Sequence, residues 1–417
     1  MKTPNKREIF LLPLQMAIVC TVVFVTMPAV ALDFKLVPSV SLSEEYNDNL
    51  FQDAEGARAD FVTRVQPSIG AQVRGGGFNC DLSYGLDYRN YARHSRDDEF
   101  DHRAAFKSDL NFREGFFRID LRDTYSRVSL NVARDVVSES LVVNQTLQNV
   151  AYISPYLTWR VSANSTLKTG YRYVDTRYWD SDGIDKMEHD VFTEFSREIR
   201  TGLVLSAGYN FARTDADTTG FYRHDVYGGL KYDIDRGTFL YGKIGNNWHS
   251  FDNGFDTSDL FWDAGASRDF GFIVVALGTR VQYTEDPETL STRDTSYYAT
   301  LSRAFPRGAA SFICSYSEYE EIELAQPDRK VLLAATGNYE LRPDLMLKLS
   351  LSGDRLNQSE GTEYPYHLYG NFGFDYALSK QAALGVNYSR ISYRNKLDSS
   401  EGSTDVNRFI AEVRLSL

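Results

Sequence analysis

Polar and apolar residues alternate with a period of two along most of this chain. Between residues 78 and 88 every second residue is apolar or aromatic, and Asn, Asp, Ser and Gly stand between them. A β-strand directs successive side chains to opposite faces of a sheet. The alternation therefore predicts strands with one apolar and one polar face, and it recurs at 203–211, 273–283, 345–351 and 366–376.

The same pattern predicts twenty strands. Their predicted ranges are 36–46, 61–74, 78–92, 99–112, 116–127, 147–159, 165–177, 188–198, 201–213, 222–234, 237–249, 258–269, 271–284, 293–304, 308–320, 329–341, 345–356, 364–377, 381–393 and 405–417. Twelve to fourteen residues at about 3.3 Å each, tilted by about 45°, cover about 28–33 Å, which matches a bilayer core with its rims. We therefore predict an all-β chain that forms a single transmembrane, antiparallel, up-and-down β-barrel of about 20 strands, with 18 as the lower count.

Short and long connections between the predicted strands alternate strictly. The short ones include 74–77, 113–115 and 342–344, and the long ones include 47–60 and 128–146. Short periplasmic turns and longer extracellular loops are typical of outer-membrane barrels. The longest connection, 128–146, is rich in Val and Leu, so it is the best candidate to fold into the lumen as a constriction.

The first 31 residues have the pattern of a secretory signal peptide. A basic start with Lys2, Lys6 and Arg7 precedes an apolar stretch and the small-residue site Ala29-Val30-Ala31. An N-terminal membrane helix is the weaker alternative, because the apolar run is short. We expect signal-peptide cleavage before Leu32, a barrel over 32–417, and a place in the outer membrane of a Gram-negative bacterium.

The last predicted strand alternates as well, and its apolar side carries Phe409, Val413, Leu415 and Leu417. A final strand of this kind resembles the signal that the outer-membrane assembly machinery reads, although Leu417 stands where Phe is more usual. We expect that machinery, outer-membrane lipid and lipopolysaccharide to be partners of the chain.

Composition narrows the class further. The net charge of −12 argues against nucleic acid as a partner. A mean hydropathy of −0.38 decides nothing, because lipid-facing and lumen-facing residues cancel in any window of a barrel strand.

After the leader only Cys80 and Cys314 remain, on predicted strands far apart, and we expect free thiols. The long loops are acidic, which suits either solvated loops or cation bridges to lipopolysaccharide.

No catalytic, cofactor or metal motif stands out, so we expect neither an enzyme nor a bound cofactor. The chain has no phosphate-binding glycine loop, no zinc-binding His-Glu-x-x-His and no Cys-x-x-Cys pair. His102, His189 and His224 fall in the lipid-facing register. His249 and His367 fall in the inward register near the outer rim, and the sequence implies no Asp or Ser partner for them.

The predicted inner face of the first five strands is rich in basic residues. The candidates for a wall that attracts anionic solute are Arg64, Arg89, Arg103, Lys107, Arg118 and Arg122. Inward tyrosines that could stack on sugar rings are Tyr152, Tyr241, Tyr298 and Tyr369. The alternative is a set of mutually paired charges that only keeps the lumen wet and the strands in register.

Two segments resemble a known family. The stretch Tyr46-Asn47-Asp48-Asn49-Leu50-Phe51, at the end of the first strand, resembles the N-terminal signature of a family of outer-membrane β-barrel porins. Genes of that family often lie in exopolysaccharide or exosortase (PEP-CTERM) clusters. The stretches 213–217 and 221–227 fit its middle part. The resemblance implies a barrel that takes part in export or assembly of surface polysaccharide, and it brings no catalytic residues.

Three classes of function remain open. The first is a conduit for exopolysaccharide, which the family resemblance favours. A general or solute-specific porin is the second, and a structural or adhesion barrel without transport is the third. A barrel of twenty strands is wide enough for an aqueous channel unless loops fill it, which favours transport.

Overall fold

In the computed structural model the described residues are 32–130, 133, 144–179, 183–284, 287–321, 327–358, 364–397 and 403–416. The predicted signal peptide and Leu417 lie outside these ranges, as does most of the 128–146 loop. Within them, no helix is both long and apolar enough to cross a membrane.

The chain folds into twenty β-strands, and each lies within three residues of its predicted range. They are β1 Asp33–Asn47, β2 Asp60–Gly75, β3 Phe78–Tyr91, β4 Glu99–Phe112, β5 Phe117–Ser129, β6 Gln145–Ser162, β7 Ser165–Trp179, β8 Lys186–Arg200, β9 Leu203–Ala216, β10 Phe221–Asp233, β11 Thr238–Phe251, β12 Asp256–Asp269, β13 Val274–Thr284, β14 Thr292–Phe305, β15 Gly308–Glu321, β16 Asp328–Arg342, β17 Leu345–Asn357, β18 Tyr366–Ala377, β19 Ala382–Arg394 and β20 Ser403–Ser416. One 3-10 turn, Arg113–Gly115, joins β4 to β5.

The strands form one closed sheet. Each strand pairs antiparallel with its neighbours in the chain, and β20 pairs with β1 from Ser39↔Ser416 to Asn47↔Arg408. The predicted all-β, up-and-down antiparallel barrel of 20 strands is thereby confirmed. A strand spacing of about 4.8 Å and a tilt of about 40° give a backbone-to-backbone diameter of about 40 Å.

The connections differ in length between the two ends of the barrel. At one end the strands are joined by two to four residues, as at 163–164 between β6 and β7 and at 343–344 between β16 and β17. At the other end the gaps range from four residues, at 252–255, to fifteen, at 130–144. These are called the short-turn end and the long-loop end below.

The outer surface is apolar and the inner surface is polar. Large apolar side chains are exposed on the outside, including Ile244, Leu277 and Leu351, which are at least half exposed. Side chains buried against the inner wall are often polar or charged, such as Asp190 and Arg89. This reverses the arrangement of a water-soluble domain and matches a barrel with lipid outside and water inside.

At two places neighbouring strands separate before they reach the long-loop end. The β4–β5 ladder stops at Ala104↔Tyr125, and the β12–β13 ladder stops at Asp263↔Arg280. Residues 256–262 of β12 pair only with β11, and residues 281–284 of β13 pair only with β14. The wall is therefore notched at both places.

Candidate functional site

All six basic candidates lie on β2–β5 in the inward register. The cross-strand pairs Arg64↔Arg89 and Lys107↔Arg122 put these residues on one face. The structure nevertheless divides the six into two groups with different surroundings.

The first group is neutralised by carboxylates near the long-loop end. Arg64 donates to Asp87 at 2.7 Å, and Arg89 contacts Asp87 at 2.7 Å and Asp101 at 3.1 Å. Arg89 is only 5% exposed. Charges held this way keep the strands in register and have little freedom to bind a solute, so the paired-charge alternative applies to Arg64 and Arg89.

The second group is Arg103, Lys107, Arg118 and Arg122, called here the cation row. It extends along β4 and β5 towards the short-turn end, and within the described residues none of the four forms an ion pair. The Arg122 guanidinium lies 5.4 Å from the centre of the Tyr152 ring, and Arg103 lines a recess of about 760 Å³ in the inner wall. The row can therefore offer positive charge to a solute.

Arginines on other strands of the inner wall form ion pairs with carboxylates. Arg172 contacts Asp190 at 3.0 Å, Arg414 contacts Asp375 at 2.6 Å, and Arg408 contacts Glu45 at 2.8 Å. Two carboxylates, Asp109 and Asp120, face each other across β4 and β5 beside the cation row. The arginines on these other strands are thus paired with carboxylates, whereas the inward lysines Lys168 and Lys243 lie 3.8 Å from the centres of tyrosine rings and, among the described residues, form no ion pair either.

The inward tyrosines lie flat against the wall. The hydroxyls of Tyr241 on β11 and Tyr298 on β14 are 2.9 Å apart, and their rings cover Gly265 and Gly278 on the strands between. A Cβ at Gly278 would come within 2.3 Å of the Tyr298 ring. Glycine is needed there because it lets an aromatic ring occupy the space of a side chain.

Two long loops reach across the lumen at the long-loop end. Ala133, from the β5–β6 loop, is buried and accepts a hydrogen bond from Lys330 on β16, ten strands away, at 2.5 Å. Thr289, from the β13–β14 loop, accepts one from Lys186 on β8, also at 2.5 Å. In the same loop, the carbonyl of Pro287 accepts from the backbone N–H of Ile184. The contacts of these two loops narrow the opening of the barrel at the long-loop end.

The two inward histidines have different surroundings. His367 on β18 is bonded through Nδ1 to Asp354 on β17 at 2.8 Å, because the two residues are direct cross-strand partners. The sequence implied no Asp partner for His367, because the contact depends on the register of two strands. His249 is packed among aromatic rings, including those of Phe221 and Tyr283.

The outward histidines repeat one arrangement. A tyrosine hydroxyl lies 2.6–2.8 Å from the Nδ1 atom of each, in the pairs Tyr84–His102, Tyr171–His189 and Tyr209–His224. These pairs satisfy the polar ring atoms on the apolar surface.

Aromatic residues at alternating, outward positions lie on the outer face with one exception. Trp159 and Trp248 are exposed on the outer face. Tyr283 also occupies an outward position in the alternation of β13, but its hydroxyl reaches Asn247 at 3.4 Å and Asp259 at 3.3 Å on the inner face. The ladder between β12 and β13 has already ended at this level, so the side chain can pass between the strands.

The C-terminal apolar residues lie on the outer face of β20. Phe409, Val413 and Leu415 are 47%, 38% and 44% exposed. A continuous lipid-facing row on the strand that closes the barrel is what an assembly signal requires, and Leu417 lies outside the described residues.

Comparisons with known proteins show the fold. No family model and no curated protein matches the chain. The FrpB iron transporter of Neisseria meningitidis, as apoprotein, superposes with a TM-score of 0.54 at 10% identity, over 91% of this chain and 81% of that one. The siderophore receptor PirA of Pseudomonas aeruginosa gives 0.51 at 11% identity, over 92% and 80%. The chain therefore has the barrel architecture of outer-membrane receptors, and at this identity the likeness extends to the fold alone.

Proposed function

We propose that this protein is a channel in the outer membrane of a Gram-negative bacterium that conducts anionic, hydrophilic molecules, and that it takes part in the export or assembly of an acidic surface exopolysaccharide. The apolar outer face supports the location, with lipid and lipopolysaccharide around the barrel and the long loops outside the cell. The row of Phe409, Val413 and Leu415 supports insertion by the outer-membrane assembly machinery.

The observation that carries the proposal is the cation row. Four positive side chains without ion pairs in the described residues face a lumen whose other arginines are compensated. Such charges raise the local concentration of anions at the wall. The rings of Tyr241 and Tyr298 lie flat on the wall, and Tyr152 adds a ring beside Arg122. A polymer of charged sugars can stack on such rings, and a simple inorganic anion cannot.

A porin for small anionic solutes is the second candidate. The contacts of Ala133 with Lys330 and of Thr289 with Lys186 favour it, because loops that cross the mouth set an upper size for what enters. The family resemblance around 46–51 favours the polysaccharide conduit. In both cases the chain acts by transport and carries out no covalent chemistry.

The test is the single-channel conductance of refolded protein in a planar bilayer, with and without an anionic exopolysaccharide. We expect an open pore that the polymer blocks, and a block that is lost when Arg103, Lys107, Arg118 and Arg122 are all replaced by Gln. Replacement of Arg103, Arg118 and Arg122 by Lys is the matched control, because it keeps the charge and should keep the block.

The outcomes separate the candidates. An open anion-conducting pore that is indifferent to polymer would leave the porin and remove the conduit. A correctly folded barrel without conductance would contradict both and favour a structural or adhesive barrel.

A further inference from the structure

The wall of the barrel is incomplete between β12 and β13. No backbone pairing joins residues 256–262 of β12 to residues 281–284 of β13, and the structure describes all of these residues. In most other neighbouring pairs the ladder runs to the long-loop end, as from Ser302↔Ser311 to Thr292↔Glu321 between β14 and β15. Above the point of separation, Thr289, just before β14, accepts a hydrogen bond from Lys186 on β8.

The notch starts within the apolar band of the outer surface. Its β12 edge carries Trp262 and Leu260 on the outside, and Leu260 is 56% exposed. Trp262 donates to the Thr279 hydroxyl at 3.0 Å just below the notch. Backbone N–H and C=O groups without partners are costly against hydrocarbon, so an open strand edge at this depth requires a polar occupant or water.

The inner side of the notch is polar. Asp259, Asn247 and Gln282 belong to the inward register beside it, and the lumen lies behind them. The notch therefore joins an apolar outer surface to a polar interior over the width of two strands. An amphiphile, with a polar head and apolar chains, fits such a passage.

Side-chain contacts close the notch in place of a backbone ladder, and the Tyr283 ring packs on His249 of β11 with 4.9 Å between the ring centres. Tyr283 reaches Asp259 and Asn247 at 3.3 and 3.4 Å, and the Arg293 guanidinium reaches the backbone carbonyl of Leu260 at 3.4 Å. The shorter notch between β4 and β5 is closed much more firmly, because Arg127 forms a bidentate ion pair with Asp101 at 2.7–3.2 Å. Of the two, the β12–β13 notch is the one that can open.

We propose that the β12–β13 notch is a lateral opening through which the polar head of a membrane-anchored amphiphile passes between the lumen and the outer leaflet while its acyl chains stay in the bilayer. The proposal rests on the membrane location proposed above. Tyr283 and Arg293 act as a latch that side-chain rotation releases. A glycolipid is the kind of molecule that needs such a passage, because its head suits the lumen and its chains do not.

The test uses a phospholipid with a maleimide on its head group. Single cysteines are placed in a background of Cys80→Ala and Cys314→Ala, and the barrels are folded into vesicles that contain the reactive lipid. Gln282→Cys probes the inner edge of the notch. Ser317→Cys is the matched control, because it is inward and lies in complete ladders on both sides. Leu260→Cys reports the lipid-facing surface.

The proposal predicts that the lipid probe labels Gln282→Cys nearly as fast as Leu260→Cys and several-fold faster than Ser317→Cys. Adding Tyr283→Ala and Arg293→Ala should raise the rate at Gln282→Cys and leave Ser317→Cys unchanged. A water-soluble maleimide that labels both inward cysteines, together with a lipid probe that labels neither, would overturn the lateral opening. Failure to label Leu260→Cys would instead contradict the membrane location.

Discussion

The pair Glu45–Arg408 offers the sharpest test of how the barrel closes. Glu45 lies on β1 and Arg408 on β20, so their contact crosses the seam between the first and last strands. Nε of Arg408 is 2.8 Å from Oε1 of Glu45, and its terminal nitrogen is 3.0 Å from Oε2. Glu45 is 0% exposed and Arg408 is 6% exposed. Replacing Glu45 with Ala leaves the guanidinium buried without this carboxylate.

Removing one partner of a buried ion pair costs about 3–5 kcal/mol of unfolding free energy. We expect Glu45→Ala to fall in that range. Glu45→Gln keeps an acceptor for one hydrogen bond and should cost about half as much, because hydrogen bonds to charged groups are worth about 1.5–3 kcal/mol. The measurement is urea unfolding of the barrel in lipid vesicles, followed by tryptophan fluorescence.

Glu44→Ala is the matched control, since Glu44 is the neighbouring residue and its carboxylate accepts from Thr63 on an exposed face. Glu44 shares the outward register of Leu42 and Tyr46, and removing a charge from the lipid-facing side should not destabilise the barrel. If Glu45→Ala lowers the free energy of unfolding no more than Glu44→Ala does, this ion pair does not hold the seam between β1 and β20.

Three further predictions follow from the same structure. Gly278→Val should destabilise the barrel in the same unfolding assay, since its Cβ would meet the Tyr298 ring at 2.3 Å, whereas Gly242→Ala, which has open space, should be tolerated. Lys330→Met should raise single-channel conductance, because the β5–β6 loop loses its contact through Ala133; unchanged conductance would place the constriction elsewhere. In the β16–β17 turn, the Arg342 guanidinium holds the pKa of Asp344 below its usual range. The stability from this pair is complete above the ordinary carboxylate pKa of about 4 and is lost as the pH falls through the lower folded value. The difference in unfolding midpoint between wild type and Asp344→Asn should therefore vanish in acid, and a constant difference would argue against the pair.

The positions of the strands, and the side chains that point outward or inward, could be predicted from the sequence. Lipid and water impose opposite demands on alternate residues. The outward setting of Trp248 and the inward setting of Arg103 both follow from parity alone. Pairing between charges does not follow from parity. Arg89 and Arg122 are both inward, yet only the strand register puts Asp87 and Asp101 beside Arg89.

The notch and the crossing loops could not be predicted. Period-two alternation continues through 256–262 and 273–283, although the β12–β13 ladder ends at Asp263↔Arg280. Each strand still pairs with its other neighbour beyond that point, so the alternation gives no sign of the separation. The inward turn of Tyr283 depends on that separation. The Asp354–His367 contact depends on the register between β17 and β18, which alternation within each strand does not specify.

The reversal potential across a bilayer with a salt gradient shows whether the lumen conducts anions, because it reports the sign of the charge that a permeating ion meets. We predict that wild-type channels select anions and that replacing Arg103, Lys107, Arg118 and Arg122 with Gln moves the reversal potential towards that of a cation-selective pore. A wild-type channel that selects cations, or a reversal potential that the four substitutions leave unchanged, would contradict the account.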